Sequence, residues 1–251
     1  GGVNFFLWDR DHPGPCAVTT HFKGWDDSTG TRPLLEAGAD VFIRFNEGVS
    51  ILKKVVAAET GQATKLTLPA GKRFEELVSS RKPFGLETTF RGKAVRGAND
   101  VLVHQNGSPG YVAREAIPSG TGLVDKWKVF ISYAAPGTGN KDTYPHRVIS
   151  TPFLGEPGTI SSETYLCIGP FDTKVEAESA LSYLSCRLTR LLIQLRKASQ
   201  HVTSKVYGFV PNQEWTKRWS DADLYAKYEL TDDEIAFIEK IVRPMELGGD
   251  E

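Results

Sequence analysis

The chain has 251 residues, 40% of them hydrophobic, with a formal net charge of -1. That length holds one large domain or two small ones with real cores, and the charge balance carries no global basic signature of nucleic-acid binding. No apolar run reaches membrane-spanning length and no secretory or lipidation signal is visible, so a soluble cytoplasmic protein is expected, and no membrane partner.

In chain order, residues 3–8, with Phe5, Phe6, Leu7 and Trp8, read as a buried strand closed by the turn-like stretch DRDHPGP. Residues 16–22 (CAVTTHF) read as a second strand, forming a hairpin with the first. Residues 40–45 are a strand or the lead into a helix over 46–60, where Ile51, Leu52, Val55 and Val56 recur at helical spacing and Asn46 is the candidate N-cap. A short helix is expected over 72–80 on the pattern of Phe74, Leu77 and Val78. From 80 to 170 short strands alternate with glycine turns, notably around Asn106-Gly107 and in KWKVFISYAA, where Trp127, Val129 and Ile131 alternate with Lys128, Phe130 and Ser132. Residues 173–200 carry the longest helical pattern. Thr173 and Glu176 make a capping box, and Leu181, Leu184, Leu188, Leu191, Leu192 and Leu195 form an apolar stripe. At about 26 residues that helix is long, and a break near Cys186 or Thr189 is anticipated. Residues 206–211 read as strand or extended chain. Ser220 with Asp223 starts a helix over 221–228, and Thr231 with Glu234 starts one over 232–243 that Pro244 stops.

The fold class implied is α+β: a mixed, strongly curved β-sheet from residues 80–170 packed on a long amphipathic helix, with smaller helices flanking it. Three widely spaced cysteines show no metal-ligand pattern and read as buried thiols of a reducing compartment.

Charge is uneven. From Asp221 to Glu251 there are ten acidic and three basic residues, whereas between Glu178 and Glu214 there is no acid at all. A basic body with an acidic tail is compatible with phosphate binding. No glycine-rich phosphate loop, Ser-His-Asp arrangement or metal-ligand spacing announces itself, so no catalytic, cofactor-binding or metal residue is assigned. Asp9, Arg10 and Asp11 are expected to satisfy one another and the turn backbone. Basic and amide residues do gather on or beside glycine-rich loops. Arg91, Lys93, Arg96, Asn99, Gln105, Asn106, Arg114, Lys141 and Arg147 are candidates for DNA contact, with Arg187, Arg190 and Lys197 on the long helix. Arg and Lys neutralise phosphates, and Asn, Gln and Arg can read base edges. Arg96, Asn99 and Gln105 are the candidate base readers and Arg190 the candidate phosphate contact. The leucine stripe is expected to pack on the middle sheet, leaving the helix cations to line one concave positive face with the loops.

GGVNFFLWDRD (residues 1–11) resembles a strand late in the catalytic domain of large adenine-specific (N6) DNA methyltransferases of restriction-modification systems, including those that join methyltransferase and restriction endonuclease in one polypeptide. Asn4 departs from a position where Cys is common. The resemblance continues in order through SSRKPFGLETTFRGK (79–93), KVFISYAAPGTGN (128–140), residues 148–171, the leucine-rich 176–203 and residues 207–245. The family's S-adenosylmethionine motif and Asn-Pro-Pro-aromatic tetrapeptide are not in this sequence. The resemblance therefore implies a carboxyl-terminal piece, with residues 1–45 ending the catalytic domain and 46–251 forming a target-recognition domain with a helical tail. It implies double-stranded DNA as partner, together with the catalytic domain of the same polypeptide and a restriction subunit. The cofactor, S-adenosylmethionine, belongs to the parent rather than to this chain. The alternatives are a domain that docks methyltransferase and restriction parts, and a small metal-dependent nuclease using Asp9, Asp11, Asp26 and Asp27.

Overall fold

The computed structural model describes residues 4–22, 25–135 and 144–248. Residues 4–15 form no strand, and Phe5, Phe6, Leu7 and Trp8 are 74–97% exposed. An apolar run becomes a strand only when a neighbour pairs its backbone, and among the described residues none does. The expected hairpin partner pairs elsewhere. β1 (Cys16–Thr20) runs antiparallel to β2 (Ser28–Arg32), with Val18 opposite Gly30.

Helix α1 spans Asn46–Thr60 and ends at Gly61, whose left-handed φ of 72° lets its N–H reach the Ala57 carbonyl. Asn46 is not its cap. Its side-chain amide donates to the Val18 and Ser28 carbonyls, and its oxygen accepts from Arg32 Nε at 2.8 Å, tying the β1–β2 ribbon to the helix. The helix expected over 72–80 is one 3-10 turn, Phe74–Leu77.

The middle of the chain makes two three-stranded sheets rather than one curved sheet. β3 (Asp100–His104) lies between β4 (Gly110–Ala113), antiparallel, and β7 (Thr159–Ser161), parallel. β5 (Trp127–Ser132) lies between β6 (Phe153–Gly155) and β8 (Tyr165–Phe171), both antiparallel. The period-two pattern of β5 suggests one wet face, but both faces are covered. Val129 and Ile131 join a large cluster with the helices, while Phe130 joins a smaller cluster with Val101, Val103, Val112 and Ile160. Lys128 is also fully buried, its ammonium donating to the carbonyls of Val124, Lys126 and Glu156 at 3.0, 2.6 and 3.2 Å.

The long helical pattern divides into α2 (Lys174–Ser185) and α3 (Arg187–Arg196), with Cys186 extended between them. Leu184, Leu188, Leu191 and Leu195 are buried in the cluster that holds Val129 and Ile131, as the stripe requires. α4 (Asp221–Lys227) and α5 (Asp232–Ile241) follow, and the capping boxes at Thr173, Ser220 and Thr231 all form. The stretch expected to extend over 206–211 instead begins in a 3-10 turn, Ser204–Tyr207. The result is a mixed α+β fold of several helices and small sheets. Among the described residues no helix is long and apolar enough to cross a membrane.

Candidate nucleic-acid interface

The β3–β4 hairpin carries a loop, residues 88–99, folded back over β4. Lys93 and Tyr111 exchange backbone hydrogen bonds of 2.8 and 2.9 Å. Two glycines permit this approach. A Cβ on Gly92 would lie 2.6 Å from Tyr111 N, and one on Gly110 would lie 2.8 Å from Gly92 Cα. Gln105, buried beneath, accepts from Gly92 N–H at 2.8 Å and donates to the Ser108 carbonyl at 2.8 Å. It therefore closes the hairpin turn and braces the loop, and both ends of its amide are occupied. This corrects its assignment as a base reader.

The far end of the loop is held by Asp100. Its buried carboxylate accepts from Gly97 N–H at 2.8 Å and from Lys93 Nζ at 3.0 Å. The Gly97 amide, then the Lys93 ammonium, hold this carboxyl below its ordinary range. Asn99 donates to Glu115 at 3.2 Å, and its carbonyl accepts from Arg114 N–H. Arg114 makes a two-pronged pair with Asp125, both bonds 2.7 Å, which neutralises its charge locally. Arg91 donates to the Thr88 and Phe90 carbonyls at 2.9 and 2.7 Å, so its guanidinium stiffens the loop without meeting a carboxylate. Arg96 and Asn106 are exposed, and among the described residues no hydrogen bond or ion pair engages either side chain. The structure thus brings seven of the candidate residues, Arg91, Lys93, Arg96, Asn99, Gln105, Asn106 and Arg114, into one hairpin-and-loop unit. Residues 88–99 hold three cations and no acid.

The helix candidates are elsewhere and turned inward. Arg190 is fully buried and donates to the carbonyls of Ser185 (3.2 and 2.9 Å), Arg243 (2.6 Å) and Arg147 (3.4 Å). The break at Cys186 leaves the Ser185 carbonyl at the end of α2 without a backbone donor, and Arg190 supplies one. Burial pulls its guanidinium down to about 10, so it remains charged at neutral pH. Its assignment as a phosphate contact is overturned, because no phosphate can reach a side chain with no exposed surface. Arg187 pairs with Asp221 and Glu239 at 3.2 and 3.3 Å. Lys197 donates to the Val148 carbonyl at 2.7 Å, and Arg147 donates to the Thr151 hydroxyl. The expected merging of these helix cations with the loops into one positive face is not what the structure displays. Lys141 lies outside the described residues.

Of the acids proposed for a nuclease, Asp9, Asp11 and Asp27 are held locally. Asp9 accepts from His12 Nδ1 at 2.7 Å and from the Asp11 amide, Arg10 pairs with Asp11, and Asp27 meets His21 Nδ1 at 2.7 Å. Among the described residues no group of three or more His, Cys, Asp or Glu is arranged to hold a metal ion. A cavity of about 410 Å³ lies where residues 25–29 meet α1 and α5, lined by Phe22, Trp25 and Phe237 and by Asp26, Asp27 and Glu47. The Lys240 ammonium sits 4.1 Å from the centre of the Trp25 ring in this cavity. No family model, no curated protein and no solved structure matches the chain.

Reading the sequence missed the brace made by Gln105, the internal role of Arg190 and the anchoring of the loop by Asp100. The loop's own signal was present in FRGKAVRGAND: two glycines bracketing four residues, with an acid three places after the second.

Proposed function

We propose that this chain is a double-stranded DNA recognition module serving an adenine-N6 DNA methyltransferase of a restriction-modification system. The observation that carries the reading is the braced, acid-free loop of residues 88–99, which exposes Arg91 and Arg96 together with Lys93, whose ammonium is paired with Asp100 at 3.0 Å. DNA presents closely spaced phosphates, and clustered cations on a rigid loop meet several of them at once. The ordered blocks of resemblance to the methyltransferase family point the same way. In this reading the chain supplies recognition, and S-adenosylmethionine and the transfer chemistry belong to the catalytic domain of the parent.

The test is fluorescence anisotropy with a labelled random-sequence duplex at a series of salt concentrations. Binding at low salt is expected, and Arg96→Ala should reduce the slope of log K against log salt by about 1. Failure to bind any duplex at low salt would falsify the reading.

A second reading, a domain that docks another protein, has its own support. Among the described residues, seven of the nine exposed large hydrophobic side chains lie within residues 5–42, among them Phe5, Leu7, Trp8, Leu34 and Leu35. Concentrated apolar exposure of that kind marks a contact surface. The two readings are compatible, since the loop and this segment are different parts of the chain.

A further inference from the structure

Between residues 43 and 174 the described chain leaves one large apolar side chain in water, Val95, at 80% exposure. It stands at the middle of a three-residue tip, residues 94–96, whose two feet are fixed. Lys93 is paired to Tyr111 through the backbone, and the Gly97 amide is bonded to the buried Asp100 carboxylate. Arg96 stands next to it, and Arg91 and Lys93 precede it, with no acid between Glu87 and Asp100. A tip held at both feet that shows a branched apolar side chain next to the exposed Arg96, with Arg91 nearby on the same loop, is drawn to phosphate yet offers methyl groups. In the major groove of DNA one base edge carries an apolar feature, the 5-methyl group of thymine. The groove, roughly 12 Å wide, admits a narrow tip of this kind.

Resting on the DNA reading above, we infer that Val95 is a specificity-determining residue that packs on a thymine methyl group while Arg96 and its neighbours hold the adjoining phosphates. Both feet of the tip are already fixed before binding, which lowers the ordering entropy that opposes the contact.

The experiment uses the full chain. Duplexes are enriched from a randomised pool, and in the enriched duplex each thymine is replaced singly by uracil, which removes one methyl group and leaves base pairing intact. At one position the replacement should weaken binding about fourfold, the worth of one buried methyl group. Val95→Ala should lose a similar factor on the thymine duplex and bind the uracil and thymine forms equally. Its salt slope should be unchanged, since no charge is removed. Because Val95 is exposed, the variant should keep the parent's melting temperature. If the wild-type chain tolerates uracil at every thymine, or if Val95→Ala still distinguishes the two duplexes, the assignment of Val95 is overturned while DNA recognition stands. Binding to the pool without enrichment has the same consequence. If no duplex is bound, the recognition reading itself fails and takes this one with it.

Discussion

Replacing Arg190 by Met keeps most of the side-chain volume and removes the fork that closes the α2–α3 junction. The carbonyls of Ser185 and Arg243 then lose donors at 2.9 and 2.6 Å inside the core. Each buried acceptor left without a partner costs about 1–3 kcal/mol. Relief of the desolvation carried by the guanidinium offsets part of that, leaving a net loss of about 3 kcal/mol. For a urea slope of about 2–3 kcal/mol/M, the unfolding midpoint should fall by roughly 1–1.5 M with the slope unchanged. Arg96→Ala, at an exposed site, should move it by an amount within error. The reasoning is refuted if Arg190→Met unfolds at the parent's midpoint, and doubly so if it then binds DNA more weakly on every sequence, as a phosphate contact would require.

Lys128 and Gly92 give two more tests. Burial pulls the Lys128 ammonium from 10.5 to about 8 in the folded chain, so between those pH values the unfolded chain binds more protons. Its effect on stability is level below pH 8 and rises above it, by about 1.4 kcal/mol per pH unit. Denaturant midpoints should therefore show wild type gaining on Lys128→Met from pH 8 to 10, and a constant difference would contradict the burial. Gly92→Ala puts a methyl against Tyr111 backbone, so the loop must shift off β4. Overpacking of about 1–3 kcal/mol should lower Tm by roughly 3–10 °C and weaken duplex binding, and a variant with the parent's Tm would show that the close approach is not made.

What was legible in the sequence is what is local. The capping boxes at Thr173, Ser220 and Thr231 need only the next three residues, and all three form. The apolar spacing of α1 likewise fixed its span. Strands depend on distant partners, and there the reading failed. The run Phe5–Trp8 has strand composition and no strand, whereas β2, with the polar sequence STGTR, has little strand signal and pairs with β1 along its length. The site divides the same way. A cation on a leucine-rich helix reads as a surface cation until the break at Cys186 is seen to open carbonyls beneath it. Gln105 reads as a base reader until Gly92 is found 2.8 Å away. A hydrogen-bonding inventory states what a side chain can do, and the fold decides which partner claims it first.

The sheet β6–β5–β8 is a wall shared by two rooms. Val129, Ile131, Leu166 and Ile168 furnish the helical side, and Phe130 and Cys167 the side beneath the hairpin. Neither room can be emptied without stripping one face of the same strands, so the two clusters are expected to melt in one transition, which calorimetry would show as a single peak. The 88–99 loop is bonded to the hairpin through Lys93 and Tyr111, the hairpin packs on Phe130 and Cys167, and the opposite face of the same strands packs on α2 and α3. The loop is thereby tied through the hairpin and the shared sheet to the helices, with both apolar clusters resting on the same three strands.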